Sequence, residues 1–101
     1  MYNVVIKPFA ELDATDAANW YNRKRDGLGN EFLLALEAKF NAIRRNPKQF
    51  NVEYKSIRRA FTERFPYSVF FIFENEVVYV LAIVHTSRSP KNWKKRITIL
   101  Y

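Results

Sequence analysis

The apolar positions in the first half of the chain recur at helical spacing. Residues 4–6 form a short β-rich run that Pro8 ends, and from Phe9 the apolar residues fall near a period of 3.6. A second, clearer stripe runs from about Asn30, the expected N-cap, to Arg45. Its members are Phe32, Leu33, Leu36, Phe40 and Ile43. The pattern predicts one strand followed by a hairpin of two helices, each with an apolar face.

The second half of the chain has the composition of strands. Three runs are rich in β-branched and aromatic residues: 56–61, 67–73 and 77–84. Residues 74–76 suit a hairpin turn, and the run 77–84 is apolar at successive positions, which predicts a strand covered on both faces. Residues 90–95 suit one short helix. The apolar residues 97–101 are expected to pack on the sheet or to pair at its edge.

Together these elements predict a single domain of the α+β class over residues 1–101. The order is β-α-α-β-β-β, with the helical hairpin packed on one face of a four-stranded, mainly antiparallel sheet. Much of the core is expected to come from eight residues: Leu33, Leu36, Phe40, Ile43, Val69, Phe71, Leu81 and Ile83.

Composition narrows the classes of function. The chain has 101 residues, of which 49% are hydrophobic and 17% aromatic, as in a globular domain. It has no Cys and one His, which excludes disulfides and thiol catalysis and argues against a zinc site. We therefore expect no cofactor and no metal. No apolar run approaches the roughly 20 residues of a membrane helix, and the N-terminus lacks a signal peptide, so we expect a cytoplasmic protein without a membrane partner.

The charge is basic and uneven. The net charge is +7, and residues 51–101 hold nine Lys/Arg and four Asp/Glu, which gives +5. Residues 86–101 carry five basic side chains and no acid. A basic domain attracts an acidic partner, which can be nucleic acid, an anionic membrane or an acidic protein. The simpler interpretation of the same run is a solvated, solubilising end of the chain.

The residues with the chemistry to bind a target or a phosphate lie in this second half. They are Arg58, Arg64, Arg88, Lys91, Trp93, Lys94, Lys95 and Arg96. Alternation along a strand places Arg58 and Arg59 on opposite faces. His85 stands where the most apolar strand gives way to a loop. Histidine as a residue type can exchange a proton near neutral pH, which makes it a candidate for acid–base chemistry. The structural alternatives are a His bonded to backbone at a strand end and a Trp93 that packs its helix onto the core.

Two other candidate motifs are explained by local structure and do not require a catalytic or binding role. Residues 27–29, Gly-Leu-Gly, lack the third glycine of a phosphate loop and lie between helices, so they predict a turn. The acid pairs Asp13/Asp16 and Glu74/Glu76 fit a helix start and an exposed turn.

Three motifs and the order of elements resemble the RelE/ParE superfamily of bacterial type II toxins. Residues 27–32, GLGNEF, are similar to the GLGxxF that opens the second helix of ParE-like members, and residues 46–50, NPKQF, are similar to the NPxxF that follows it. Residues 64–67, 80–85 and 88–93 are similar to RFPY…VLAVxHxxRxPxxW of the same group. The resemblance implies a toxin of a plasmid stabilization system, held inactive by a cognate acidic or amphipathic antitoxin.

The resemblance implies two alternative targets. ParE-like members poison DNA gyrase, whereas RelE-like members cut mRNA on the ribosome without a metal. RelE-like nucleases have a catalytic Arg in a YRLxY context, where this chain has Ser68 and Phe71, and their C-terminal catalytic Tyr falls nearest Trp93. The resemblance therefore favours a ParE-like toxin that binds DNA gyrase. The alternatives are a RelE-type mRNA endonuclease, with His85 and Arg88 as catalytic residues, and a non-catalytic basic nucleic-acid-binding domain, so whether the chain is an enzyme stays open.

Overall fold

The computed structural model describes residues 1–100, and the side chains of residues 1–98. The strands are β1 (Asn3–Ile6), β2 (Val52–Tyr54), β3 (Ile57–Phe61), β4 (Tyr67–Glu74) and β5 (Val77–His85). The helices are α1 (Pro8–Lys24), α2 (Leu28–Arg45) and α3 (Pro90–Leu100), and a turn of 3₁₀ helix, Pro47–Gln49, follows α2. The α+β class and the hairpin of helices are confirmed.

The strands form one sheet in the order β1-β5-β4-β3-β2. β1 runs parallel to β5, and the other neighbours are antiparallel. The described sheet therefore has five strands where the sequence pattern predicts four. The additional strand is β2, whose three residues are too few for a recognisable alternation.

The turn between α1 and α2 depends on two glycines with different tasks. Gly27 adopts a left-handed conformation with φ of 84°, and α2 begins immediately after it. A Cβ on Gly29 would lie 2.2 Å from the carbonyl oxygen of Ala18, and the Gly29 N–H donates to Asn22 Oδ1 at 2.8 Å. The two helices therefore approach closely at this point. The prediction that Asn30 is the N-cap of α2 is wrong, because Gly27 is the N-cap and Asn30 already lies inside the helix.

The sheet separates two clusters of buried side chains. The hairpin covers one face with residues that include Phe32, Leu36 and Ile43. On the other face α3 packs Trp93 and Ile97, one helical turn apart, against the sheet. Residues 97–100 thus continue the helix instead of pairing at a sheet edge, and Tyr101 lies outside the described residues. Leu33, predicted in the core, is 41% exposed, which corrects that prediction.

One extra residue interrupts the alternation of β5. Phe70 pairs with Ala82 while the next residue, Phe71, pairs with Val80, so Leu81 is a bulge. Before the bulge Val80 faces the helical hairpin, and after it Ile83 does. The bulge therefore determines which of the last side chains of β5 face the helical hairpin and which face α3.

A candidate binding cleft between two helices and a free strand edge

The cleft begins where β1 stops. β1 pairs with the first four residues of β5 and ends at Ile6, opposite Val80. No strand of the described residues covers the remainder of β5 on that side, and a cleft of about 820 Å³ opens there between α1 and α3. Its lining comes from α1, the start of β4, the end of β5, the following turn and α3: Asp13, Asp16, Ala17, Trp20, Tyr67, Ile83, Val84, His85, Ser87, Arg88, Asn92, Trp93 and Arg96.

Asp13, on α1, links that helix to β5 and to α3. Its Oδ2 accepts a hydrogen bond from the backbone N–H of Ile83 at 3.0 Å. The same oxygen forms an ion pair with Arg96 Nη2 at 2.5 Å. Asp13 therefore holds α3 and the edge of β5 to α1, which corrects its interpretation as an acid that merely favours the start of a helix. The sequence carries no local signal of this role, because the partners are 70 and 83 residues away.

Tyr67, His85 and Arg88 meet at one end of the cleft. The bulge at Leu81 places His85 beside Tyr67, with ring centroids 5.2 Å apart and an angle of 77° between the rings. His85 Nδ1 accepts from the backbone N–H of Ser87 at 3.0 Å, so a neutral His85 carries its proton on Nε2. The Arg88 N–H donates to the His85 carbonyl at 3.0 Å and orders the turn.

The Tyr67 hydroxyl is electrostatically coupled to its surroundings. Burial raises the pKa of Tyr67 above its usual value of 10.0, and the neighbouring Tyr21 and Asp13 raise it further. The Arg88 guanidinium acts in the opposite direction and lowers the Tyr67 pKa. Arg88 thus acts on the cleft from an exposed position, and its side chain is available to a partner.

The structure brings only some of the predicted binding residues together. Arg88, Trp93 and Arg96 line the cleft with His85, and Lys91 and Lys95 are exposed on α3. Lys91 and Lys95 do not line the cleft, and neither do the other three. Arg58 donates to the carbonyls of Lys48 and Phe50, Arg64 forms an ion pair with Glu31 at 2.7 Å, and Lys94 lies over Tyr54. Trp20, which is 47% exposed with Lys24 over its ring, is a cleft residue that the sequence alone did not single out.

Trp93 is a core residue. It is 3% exposed and stacks on Phe70 with ring centroids 4.3 Å apart. Its ring therefore cannot stack on a base or a partner side chain, which corrects its place among the binding residues and confirms the packing alternative. The indole Nε1–H is buried without an acceptor among the described residues.

Ser68 lies on the opposite face of the sheet, beneath α3. It is fully buried, and its Oγ accepts from Arg59 Nε at 2.8 Å. Arg59 in turn lies over the rings of Phe70 and Trp93 and pairs with Glu53 at 3.3 Å. The guanidinium is therefore held by aromatic and acidic neighbours.

The family of the chain follows from comparison with known proteins. Residues 4–90 match the family model described as ParE toxin of type II toxin-antitoxin system, parDE. The chain belongs to the ParE toxin family. A solved structure described as "Chromosomal ParDE TA system from P. aeruginosa" has the same fold as this ParE family member, with a TM-score of 0.77 and 15% sequence identity, covering 86% of this chain and 98% of that one. No curated protein matches the chain.

The described residues also bear on metal binding and on membrane insertion. No group of three or more His, Cys, Asp or Glu side chains in this part of the ParE-family chain could hold a metal ion. Within the same part, no helix combines the length and the apolar character that crossing a membrane requires.

Proposed function

We propose that this toxin acts by binding a protein target, DNA gyrase, and does not cut RNA. The observation that carries the proposal is the burial of Ser68 and its hydrogen bond from Arg59. It occupies the position of the catalytic Arg in the RelE-like pattern, and it is neutral, fully buried and bonded to Arg59. Phosphoryl transfer without a metal needs preorganised cationic and proton-donating side chains at the reacting phosphate. The buried Ser68 supplies neither.

The basic end of the chain supports an acidic protein surface as the target. Arg88, Lys91 and Lys95 are exposed around the start and outer side of α3. Charges of one sign on one side of a small domain accelerate encounter with a surface of the opposite sign. The ion pair with Asp13 occupies Arg96, so among the described Lys and Arg residues that line the cleft it is Arg88 that remains available to the target.

An apolar groove supports an amphipathic, acidic segment of an antitoxin as the partner that inactivates the toxin. The groove has a volume of about 320 Å³, and its apolar lining comes from β1, α1, α2 and β5: Ile6, Ala14, Leu33, Leu36, Phe40 and Ile83. Phe9 and Leu12 are more than half exposed on α1, which also lines the groove. Glu11, Glu37 and Arg44 also line the groove, so its own charge is mixed and the attraction for an acidic partner comes mainly from the wider basic surface. Apolar anchors in such a groove would hold the bound segment.

An mRNA endonuclease of the RelE type is the second candidate, because His85, Arg88 and Tyr67 meet in one cleft. A His and an Arg are the groups that general acid–base chemistry at a phosphate would use. The cleft lies at the edge of the sheet, whereas Ser68 lies beneath α3 on the face away from the hairpin.

The deciding experiment measures gyrase supercoiling and cleavage of ribosome-bound mRNA side by side. The variants are wild type, His85→Ala, Arg88→Ala and, as a charge-matched control far from the cleft, Lys55→Ala. We expect inhibition of supercoiling that Arg88→Ala weakens and His85→Ala barely changes, with mRNA intact throughout. Codon-specific cleavage that His85→Ala abolishes would overturn the gyrase proposal and establish the endonuclease.

A further inference from the structure

Trp20 is a large aromatic side chain that α1 holds at the surface. It is 47% exposed, although folding usually buries most of a tryptophan. The Tyr21 ring meets the indole nearly at a right angle, with ring centroids 5.1 Å apart, and Lys24 Nζ lies 4.9 Å from the ring centroid. Both of these neighbours belong to α1 itself. They leave about half of the side chain open to a partner molecule.

The position of Trp20 distinguishes it from other exposed apolar residues, which are common on protein surfaces. Leu34, for example, is more exposed, at 68%, but it lines neither the cleft nor the apolar groove. Trp20 lines the cleft together with Arg88, whose side chain is exposed and forms no ion pair with a described residue. Tryptophan and arginine are among the residue types that carry most of the binding energy in protein interfaces.

The charges around Trp20 select the chemistry of a partner. Arg23 and Lys24 follow it by three and four residues and therefore lie near it on the surface of α1, and Arg88 lines the same cleft. The opposing charge is Asp16, which lines the cleft one helical turn before Trp20. The other acid and base of the described lining form an ion pair with each other. A partner segment with carboxylates and an apolar side chain suits this arrangement.

We propose that Trp20 is the apolar anchor of the toxin on its target, and that the cleft receives an acidic loop of that target protein. An apolar side chain of the loop packs on the indole, while carboxylates of the loop meet Lys24 and Arg88. Asp16 opposes binding, because its carboxylate repels the loop. This inference rests on the proposed function, since it names the surface that the same target contacts.

The first test measures the affinity of the full-length toxin for purified DNA gyrase by titration calorimetry. The variants are Trp20→Ala, Trp20→Phe and Phe61→Ala. Phe61 is a matched control, because it is 53% exposed and has the Arg59 guanidinium 4.8 Å from its ring centroid, yet it does not line the cleft. We expect Trp20→Ala to weaken binding about 10- to 100-fold, Trp20→Phe to weaken it less, and Phe61→Ala to leave it unchanged. Thermal unfolding verifies that each variant is folded.

The second test concerns the sign of the charge on the loop. Asp16→Asn and Glu74→Gln each remove one exposed acid, but Glu74 lies at the end of β4 that pairs with Val77, outside the cleft. We expect Asp16→Asn to bind gyrase about two- to fivefold more tightly, the effect of one exposed like-charge contact, and Glu74→Gln to bind as wild type does. Equal tightening in both variants would show that net charge alone matters. Unchanged or weaker binding by Asp16→Asn would overturn the acidic loop.

The outcomes separate the anchor from the identity of the target. Gyrase that binds wild type and Trp20→Ala equally, or that loses affinity equally for Trp20→Ala and Phe61→Ala, overturns the anchor and leaves the gyrase proposal intact. If wild type does not bind gyrase, the proposed target fails, and growth arrest by the same variants at matched cellular abundance tests the anchor instead. Loss of arrest in Trp20→Ala alone then supports it, and full arrest overturns it. A wild-type protein that neither binds gyrase nor arrests growth overturns both proposals.

Discussion

Tyr67 and His85 pair directly across β4 and β5, and their rings meet nearly perpendicular with centroids 5.2 Å apart. The pair depends on the bulge at Leu81, because one residue fewer would turn His85 to the face covered by α3. A single extra residue in β5 thus places His85 on the same side of the sheet as Tyr67.

The first prediction concerns stability at alkaline pH. Burial, with a contribution from Tyr21, raises the pKa of Tyr67 in the folded protein above the usual 10.0. A raised folded-state pKa means that the contribution of Tyr67 to the free energy of unfolding is fully present below about pH 10 and is lost as the pH rises through the folded-state pKa. Urea unfolding across this range should show a steeper loss for wild type than for Tyr67→Phe. Parallel curves would contradict the prediction.

The second prediction concerns the electrostatic link between Arg88 and Tyr67. The Arg88 guanidinium lowers the Tyr67 pKa, so Arg88→Ala should raise it. A near-ultraviolet absorbance titration, corrected with Tyr67→Phe, measures this shift. Lys91→Ala is the control, since it removes a neighbouring exposed charge of the same sign. Equal effects of the two substitutions would show that the influence of Arg88 is not specific.

The third prediction concerns the tight turn between α1 and α2. Gly29→Ala would place a Cβ 2.2 Å from the Ala18 carbonyl oxygen, so the helices must separate. We expect a loss of about 1–3 kcal/mol in the free energy of unfolding. Asn30→Ala, at the next position, is the control and should be neutral, because Asn30 does not cap the helix. Thermal unfolding of both variants measures the difference, and equal melting temperatures would refute the account of Gly29.

The fourth prediction concerns the indole Nε1–H of Trp93, which has no hydrogen-bond acceptor among the described residues. Its Nε1–H is buried without an acceptor among the described groups, which costs about 1–3 kcal/mol. Trp93→Phe removes the donor and keeps an aromatic ring against Phe70. We expect unchanged or higher stability, whereas Trp93→Ala should lose about 3–5 kcal/mol. A large loss in Trp93→Phe would show that the N–H has a partner in solution.

The fifth prediction concerns the kinetics of antitoxin binding. With a net charge of +7, the toxin should attract an acidic antitoxin over long range, and salt should slow this encounter. Dissociation should respond less, because apolar anchors in the groove hold the complex. Stopped-flow measurements at several salt concentrations give both rates. A dissociation rate that changes with salt as steeply as the association rate would contradict this division.

The sequence predicts the elements well and the cleft poorly, for identifiable reasons. Periodicity locates α2 because its buried residues Phe32, Leu36 and Ile43 repeat at helical spacing, but it cannot tell that Leu33, on the rim of the same stripe, borders an open groove. His85 and Arg88 are recognisable as candidates from their position after an apolar strand. Asp13 is not, because its role depends on contacts far along the chain that no local pattern encodes.

The topology of the short strand β1 has a consequence for synthesis of the toxin. Asn3–Ile6 pairs with residues near position 80, and Asp13 meets Arg96, which is 83 residues further along the chain. Contacts between such distant segments form only when both are present, so a growing chain on the ribosome has its helical hairpin long before it can close the sheet. The cleft that Asp13 and Arg96 border is therefore assembled after the helical hairpin.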